Sequence, residues 1–128
     1  MAVGIVLVSH SADLAFGLAS LAGQVAGAEV RIEPAGGRSK GELGTSDSRV
    51  IEAIAAANGG DGVIVLGDLG SAILTARHVL GGNHNGQVRL VDAPFVEGAV
   101  AAAVVAASGA SLDDVARAAE GARDARKL

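Results

Sequence analysis

The chain contains no cysteine, no tryptophan and no tyrosine. Without thiols it can form no disulfide, run no thiol chemistry and build no cysteine-based metal site. This fits a reducing compartment, and a cytoplasmic protein is expected. Its aromatic residues are Phe16 and Phe95, whereas a single-stranded nucleic-acid platform needs rings on which bases stack. A formal net charge of −4 also argues against binding to a phosphate backbone. No apolar run approaches the roughly 20 residues of a membrane span. The start, MAVGIVLVSH, lacks the basic region and cleavage site of a signal peptide and reads as a core strand. Nucleic acid and membrane are therefore not expected as partners.

What is present is aliphatic. Half of the 128 residues are hydrophobic, mainly Ala, Val, Leu and Ile, enough for one domain (1–128) with a single real core. Val3–Val8 is a continuous, β-branched run, the pattern of a strand buried on both faces. A helical stripe follows at Leu14, Leu18, Leu21 and Val25. Glu29–Glu33 alternates like an edge strand, and the Gly-rich stretch 34–45 reads as a loop. Ser46 or Asp47 caps a helix with Val50, Ile51 and Ile54 as its stripe, ended by Asn58, Gly59 and Gly60. Residues 62–66 (GVIVL) form a second buried strand. A helix from about Ser71 carries Ile73, Ala76 and Leu80. A strand at Val88–Val91, a turn at Asp92–Pro94 and a helix with Val96, Val100, Val104 and Ala107 come next. Ser111 caps a last helix with Leu112, Val115 and Ala119 inward, and the polar tail from Gly121 is expected to fray. The order β-α-β-α-β-α-β-α-α predicts an α/β fold: an open, mainly parallel sheet with helices on both faces.

Such a sheet gathers its chemistry outside the carboxyl ends of the strands, where strand order reverses. The two most buried strands should be central, and they run into Ser9-His10-Ser11 and Gly67-Asp68-Leu69-Gly70-Ser71. His10 and Asp68 should therefore meet. A carboxylate that accepts from one ring nitrogen fixes the tautomer and leaves the other as a nucleophile or a metal ligand. The helices starting after Ser11 and near Ser71 aim N–H groups at the same edge, which suits a phosphoryl anion. Ser11, Gly70 and Ser71 are the expected donors, and Thr45 adds a hydroxyl. The plainer alternatives are that His10 is a polar loop residue and Asp68 a helix cap. His78 and His84 stand apart from this edge. No HxH or HxxxH spacing suggests a metal, no Walker order suggests an ATP cradle, and no GxGxxG follows the first strand. Leu14, Leu69 and Phe95 are either an apolar docking rim or core, and Glu97 either a site residue or a match to a helix dipole.

Four segments carry a resemblance: VGIVLVSHS (3–11), GTS with RVIEAI (44–54), GDLGSAILTA (67–76) and DAPFVEGAVAAAVVAASGA (92–110). Together they are similar to the mannose-type EIIA family, in particular its branch of phosphoryl-donor subunits of phosphotransferase-system-dependent dihydroxyacetone kinases. The resemblance implies a flavodoxin-like three-layer fold, His10 as the phosphorylated residue and Asp68 as its acidic neighbour. It implies receipt from the phosphocarrier protein HPr, which enzyme I charges from phosphoenolpyruvate. It implies delivery to ADP on the kinase L subunit, which phosphorylates dihydroxyacetone held on the K subunit. It further implies a homodimer, with no metal or other cofactor on the chain. Some members carry further phosphocarrier-like and enzyme I-like domains, so separate donors or a longer parent protein are expected. Two other readings remain open: the sugar-transporter branch of the family, and a non-enzymatic flavodoxin-like module that holds an anion.

Overall fold

The computed structural model describes residues 2–81 and 87–128; His84 lies outside them. Four strands form one sheet in the order β2-β1-β3-β4. They are β1 (Gly4–Ser9), β2 (Ile32–Gly36), β3 (Val63–Gly67) and β4 (Val88–Leu90), paired in parallel throughout. The two aliphatic runs are the central strands, as their hydrophobicity on both faces requires, and every residue of β1 and β3 is buried. Strand β2 lies at the edge, as expected, but later than the alternation at 29–33 suggested. Its chain includes Pro34, which an edge position tolerates because no ladder donor is lost to the interior.

Five α-helices cover the sheet: α1 (Ala12–Ala26), α2 (Asp47–Ala57), α3 (Gly70–Leu80), α4 (Phe95–Ala107) and α5 (Leu112–Gly121). One core joins Ile5, Leu7, Ile64 and Leu66 to α1, α4 and α5. The other joins Val6, Val8, Val63 and Val65 to α2 and α3. The sheet thus alternates its side chains between two helical layers. Ser11, Ser46 and Ser111 cap α1, α2 and α5 by accepting from the N–H three residues on.

The structure corrects three expected stripes. On α1 the buried face is Ala15, Leu18 and Ala22, while Leu14, Leu21 and Val25 are about half exposed. On α4 it is Ala99, Ala102, Ala103 and Ala106, with Val96 and Val104 outward. On α2 Ile51 is exposed, and Ala53 takes its place. The alanine set on α1 repeats at the same helical spacing as the leucine set, rotated by about 100°. Helices pressed close to a sheet accept small residues at the contact and leave larger ones outside. In the tail, Ala122–Asp124 forms a short helical turn, and the residues after it carry no regular structure. Arg123 donates to the Asp92 carbonyl, and Lys127 pairs with Glu97.

Candidate functional site

The register Val8↔Gly67 sets the ends of β1 and β3 side by side at the point where strand order reverses. His10 and Asp68 follow these ends and meet there. Asp68 Oδ1 lies 2.9 Å from His10 Nδ1. Its carboxylate also accepts from the Ser9 hydroxyl at 2.8 Å, from His10 N–H at 3.1 Å and from Leu69 N–H at 2.7 Å. Burial pushes the Asp68 pKa up, but these donors outweigh it. The Ser9 hydroxyl leads, then the His10 backbone, the His10 ring and the Leu69 N–H, and the carboxyl is held below its ordinary value of 3.8. An ionised carboxylate only accepts, so the imidazole proton sits on Nδ1 and the lone pair on Nε2. Nε2 faces the exposed side and accepts from the Ser71 hydroxyl.

The loops around the ring are fixed by the backbone. Gly44 N–H donates to the His10 carbonyl at 2.9 Å, and Asp68 N–H to the Val8 carbonyl at 3.1 Å. Gly36 closes the other side: a Cβ there would lie 2.5 Å from the Ser11 carbonyl oxygen and 2.8 Å from Ala12 Cα. Only glycine lets β2 and the start of α1 approach so closely.

The expected anion donors divide. Ser71 is at the ring, and Gly70 opens α3, whose N-terminus no side chain caps. Ser11 N–H is donated to Ser9 Oγ at 3.1 Å, and Ser11 Oγ accepts from Leu14 N–H, so the donor that Ser11 keeps is its hydroxyl proton. Thr45 Oγ1 lies 2.6 Å from Thr75 Oγ1, and no bond joins it to His10. Leu69 is 62% exposed beside the site, and Leu14 is partly exposed. Phe95, in contrast, packs against the core. Glu97 is taken by Lys127, whose bond and charge lower its pKa. His78 Nε2 lies 3.3 Å from a carboxylate oxygen of Asp47 at the exposed surface. Among the described residues no cluster of three His, Asp or Glu could hold a metal ion. No described helix is long and apolar enough to cross a membrane.

Two residues escaped the sequence reading. Ser9, fully buried, holds Asp68 and the Ser11 N–H at once. Its signal was a lone hydroxyl ending an otherwise aliphatic central strand. Thr75 had no signal beyond its helix. Two clefts, about 750 Å³ beside α3 and β4 and about 540 Å³ between α1, β2 and α2, have neither His10 nor Asp68 in their walls. His10 Nε2 stands at an open edge, which suits a group passed to another protein better than the chemistry of an enclosed small molecule.

Comparison with known proteins agrees with this geometry. Residues 4–116 match the EIIA-man family, described as the PTS system fructose IIA component. A phosphoryl donor subunit DhaM of the PEP-dependent dihydroxyacetone kinase of Escherichia coli is 41% identical over 88% of this chain. The chain spans only about a quarter of that relative's length. The phosphotransferase subunit DhaM of the PTS-dependent dihydroxyacetone kinase of Lactococcus lactis subsp. lactis is 34% identical, covering 90% of this chain and 91% of that one. The crystal structure of EF1359, a protein of unknown function, superposes with a TM-score of 0.84 at 33% identity, over 94% of this chain and 95% of the other. The matched span takes in all four strands and both residues of the His10–Asp68 pair, and the chain belongs to the EIIA-man family.

Proposed function

We propose that this protein is a phosphoryl carrier. His10 Nε2 takes a phosphoryl group from phospho-HPr and passes it to ADP held by the L subunit of a dihydroxyacetone kinase. The observation that carries the reading is Asp68 at 2.9 Å from Nδ1, which leaves a lone pair on Nε2 at an open edge. That lone pair attacks phosphorus and forms the new N–P bond. The donor's N–P bond breaks and its electron pair returns to the donor ring. Nδ1–H stays on Asp68, which stabilises the positive charge the ring acquires, so no proton need leave Nε2. Ser71 turns its hydroxyl from Nε2 to a phosphoryl oxygen. The Gly70 and Ser71 N–H groups and the Ser11 hydroxyl supply the other donors, with Thr45 available if it releases Thr75. Transfer of this kind rests on position and charge stabilisation, and the chain needs no metal or cofactor of its own for it. The site belongs to the cytoplasm, where phosphoenolpyruvate is available. The names of the relatives favour the dihydroxyacetone kinase branch over the sugar branch.

The test is intact mass after incubation with phosphoenolpyruvate, enzyme I and HPr, followed by ADP-loaded L subunit or a transporter B domain. The expected result is one acid-labile phosphoryl group, absent in His10→Ala and discharged by the L subunit alone. No uptake by the wild type, or uptake by His10→Ala, contradicts the reading.

The carrier is also proposed to act as a homodimer. Leu14, Leu21 and Val25 of α1 and Val96 and Val104 of α4 stand 44–51% exposed on one helical layer. Leu14, Leu21 and Val96 wall the same shallow groove there. Together the five side chains form one exposed apolar face, of the kind that often serves a function. The face carries little charge, which suits a second copy of itself across a two-fold axis. Leu21→Glu is expected to weaken the dimer by about 100-fold, read by light scattering across a dilution series. A monomeric wild type at high concentration, or an unchanged variant, contradicts the interface.

A further inference from the structure

We propose that Thr75 is a positioning residue for phosphoryl transfer, holding Ser71 against His10 by tying α3 to the loop that leads into α2. This rests on the carrier reading above. Thr75 lies one helical turn after Ser71 and donates to the Ser71 carbonyl at 3.1 Å. Its oxygen also lies 2.6 Å from Thr45 Oγ1. Each hydroxyl has one proton. The Thr75 proton goes to the Ser71 carbonyl, a main-chain acceptor with no proton to offer in return. Thr45 must then donate to Thr75. The two bonds form a directed chain from Thr45 through Thr75 to the residue whose hydroxyl meets Nε2.

A helical threonine often bonds back to the carbonyl four residues earlier, and that bond alone implies nothing about function. The second bond is different, because it joins elements 30 residues apart in sequence. Thr45 follows Gly44, whose N–H holds the His10 carbonyl, and precedes Ser46, the cap of α2. The loop therefore grips His10 from its backbone and, through Thr75, grips the first turn of α3. No side chain caps that turn, so the Thr75 bond adds to the Asp68 bond at Leu69 N–H and the Ser71 bond at the His10 ring in placing it. A hydroxyl at Nε2 must be steady enough to orient the ring and free enough to swing onto an incoming phosphoryl oxygen. An error of about 1 Å in such a position can cost ~10²-fold in rate.

The experiment compares wild type, Thr75→Val and Thr75→Ser. Valine keeps the shape and removes both bonds; serine keeps the hydroxyl and removes only the methyl. In steady-state transfer from phospho-HPr, Thr75→Val is expected to lower kcat about 10-fold and leave KM within about twofold, with Thr75→Ser restoring kcat. The nitrogen-15 shift of His10 Nε2 at fixed pH reads the Ser71 bond with no donor present. It is expected to move in Thr75→Val and to return in Thr75→Ser. An unchanged shift in the valine variant, or a serine variant that behaves like valine, overturns the proposal. Failure of wild type to accept a phosphoryl group overturns the carrier reading instead, and the shift still judges Thr75.

Discussion

Asp68→Asn is expected to slow phosphoryl uptake by about 10²- to 10⁴-fold while the domain stays folded. The magnitude is that of replacing the carboxylate behind a catalytic histidine, where the amide admits the wrong tautomer. Here the change acts on all four bonds that the carboxylate accepts. If the substituted amide turns its NH₂ toward the ring, Nδ1 becomes the acceptor. The proton then moves to Nε2 and blocks the lone pair. If the amide turns its oxygen there, the NH₂ faces the Ser9 hydroxyl and the His10 N–H, two donors with no acceptor left. In neither orientation does a negative charge remain to offset the phosphorylated ring. Stopped-flow transfer from phospho-HPr measures the loss, and uptake within threefold of wild type contradicts the role given to Asp68.

The same substitution has a signature in acid. The folded-state pKa of Asp68 is lowered, so its contribution to stability is present in full above the unfolded value. It fades as pH falls through the lower folded one. The difference in stability between wild type and Asp68→Asn should therefore be constant near neutrality and shrink below about pH 3.8, the ordinary value. Urea unfolding at a series of pH values reads this. A difference that grows as pH falls contradicts the sign.

Gly36→Ala carries the second large expectation, a loss of about 3 kcal/mol from overpacking and a fall in Tm of about 10 °C. A Cβ at this position meets the Ser11 carbonyl oxygen at 2.5 Å, with Ala12 Cα and Ala15 Cβ both at 2.8 Å. Two of these are backbone and the third is the Cβ of a buried alanine, so nothing flexible can give way. Relief requires β2 and the first turn of α1 to part. That turn follows His10 directly, so transfer should slow together with the loss of stability. Differential scanning calorimetry checks the first effect. A Tm within about 2 °C of wild type, less than even a loss of about 1 kcal/mol would give in a domain of this size, contradicts the close approach.

The legibility of this molecule divides by physical cause. Burial on both faces writes itself into β1 and β3 as continuous apolar runs rich in β-branched residues, so the central strands and the meeting of His10 with Asp68 follow from the sequence. The caps of α2, at Ser46 or Asp47, and of α5, at Ser111, were legible because a polar side chain before a helical stripe has a local task. The helix faces were not. Leu14 and Ala15, or Val104 and Ala103, are neighbours on their helices, and the side that meets the sheet depends on how closely the helix packs, a tertiary fact. Thr45 shows the same limit within the site: its position at the carboxyl edge of the sheet was legible, its engagement with Thr75 was not. Ser9 and Thr75 act through partners 59 and 30 residues away, respectively, and no local pattern encodes such a pairing.

The most direct test of the account is the position of the N–P bond, read by phosphorus-31 and nitrogen-15 NMR on protein charged by phospho-HPr. The Nδ1 proton held by Asp68 predicts a single phosphohistidine at His10 with phosphorus on Nε2. Phosphorus on Nδ1, or on any other residue, contradicts the account at its centre.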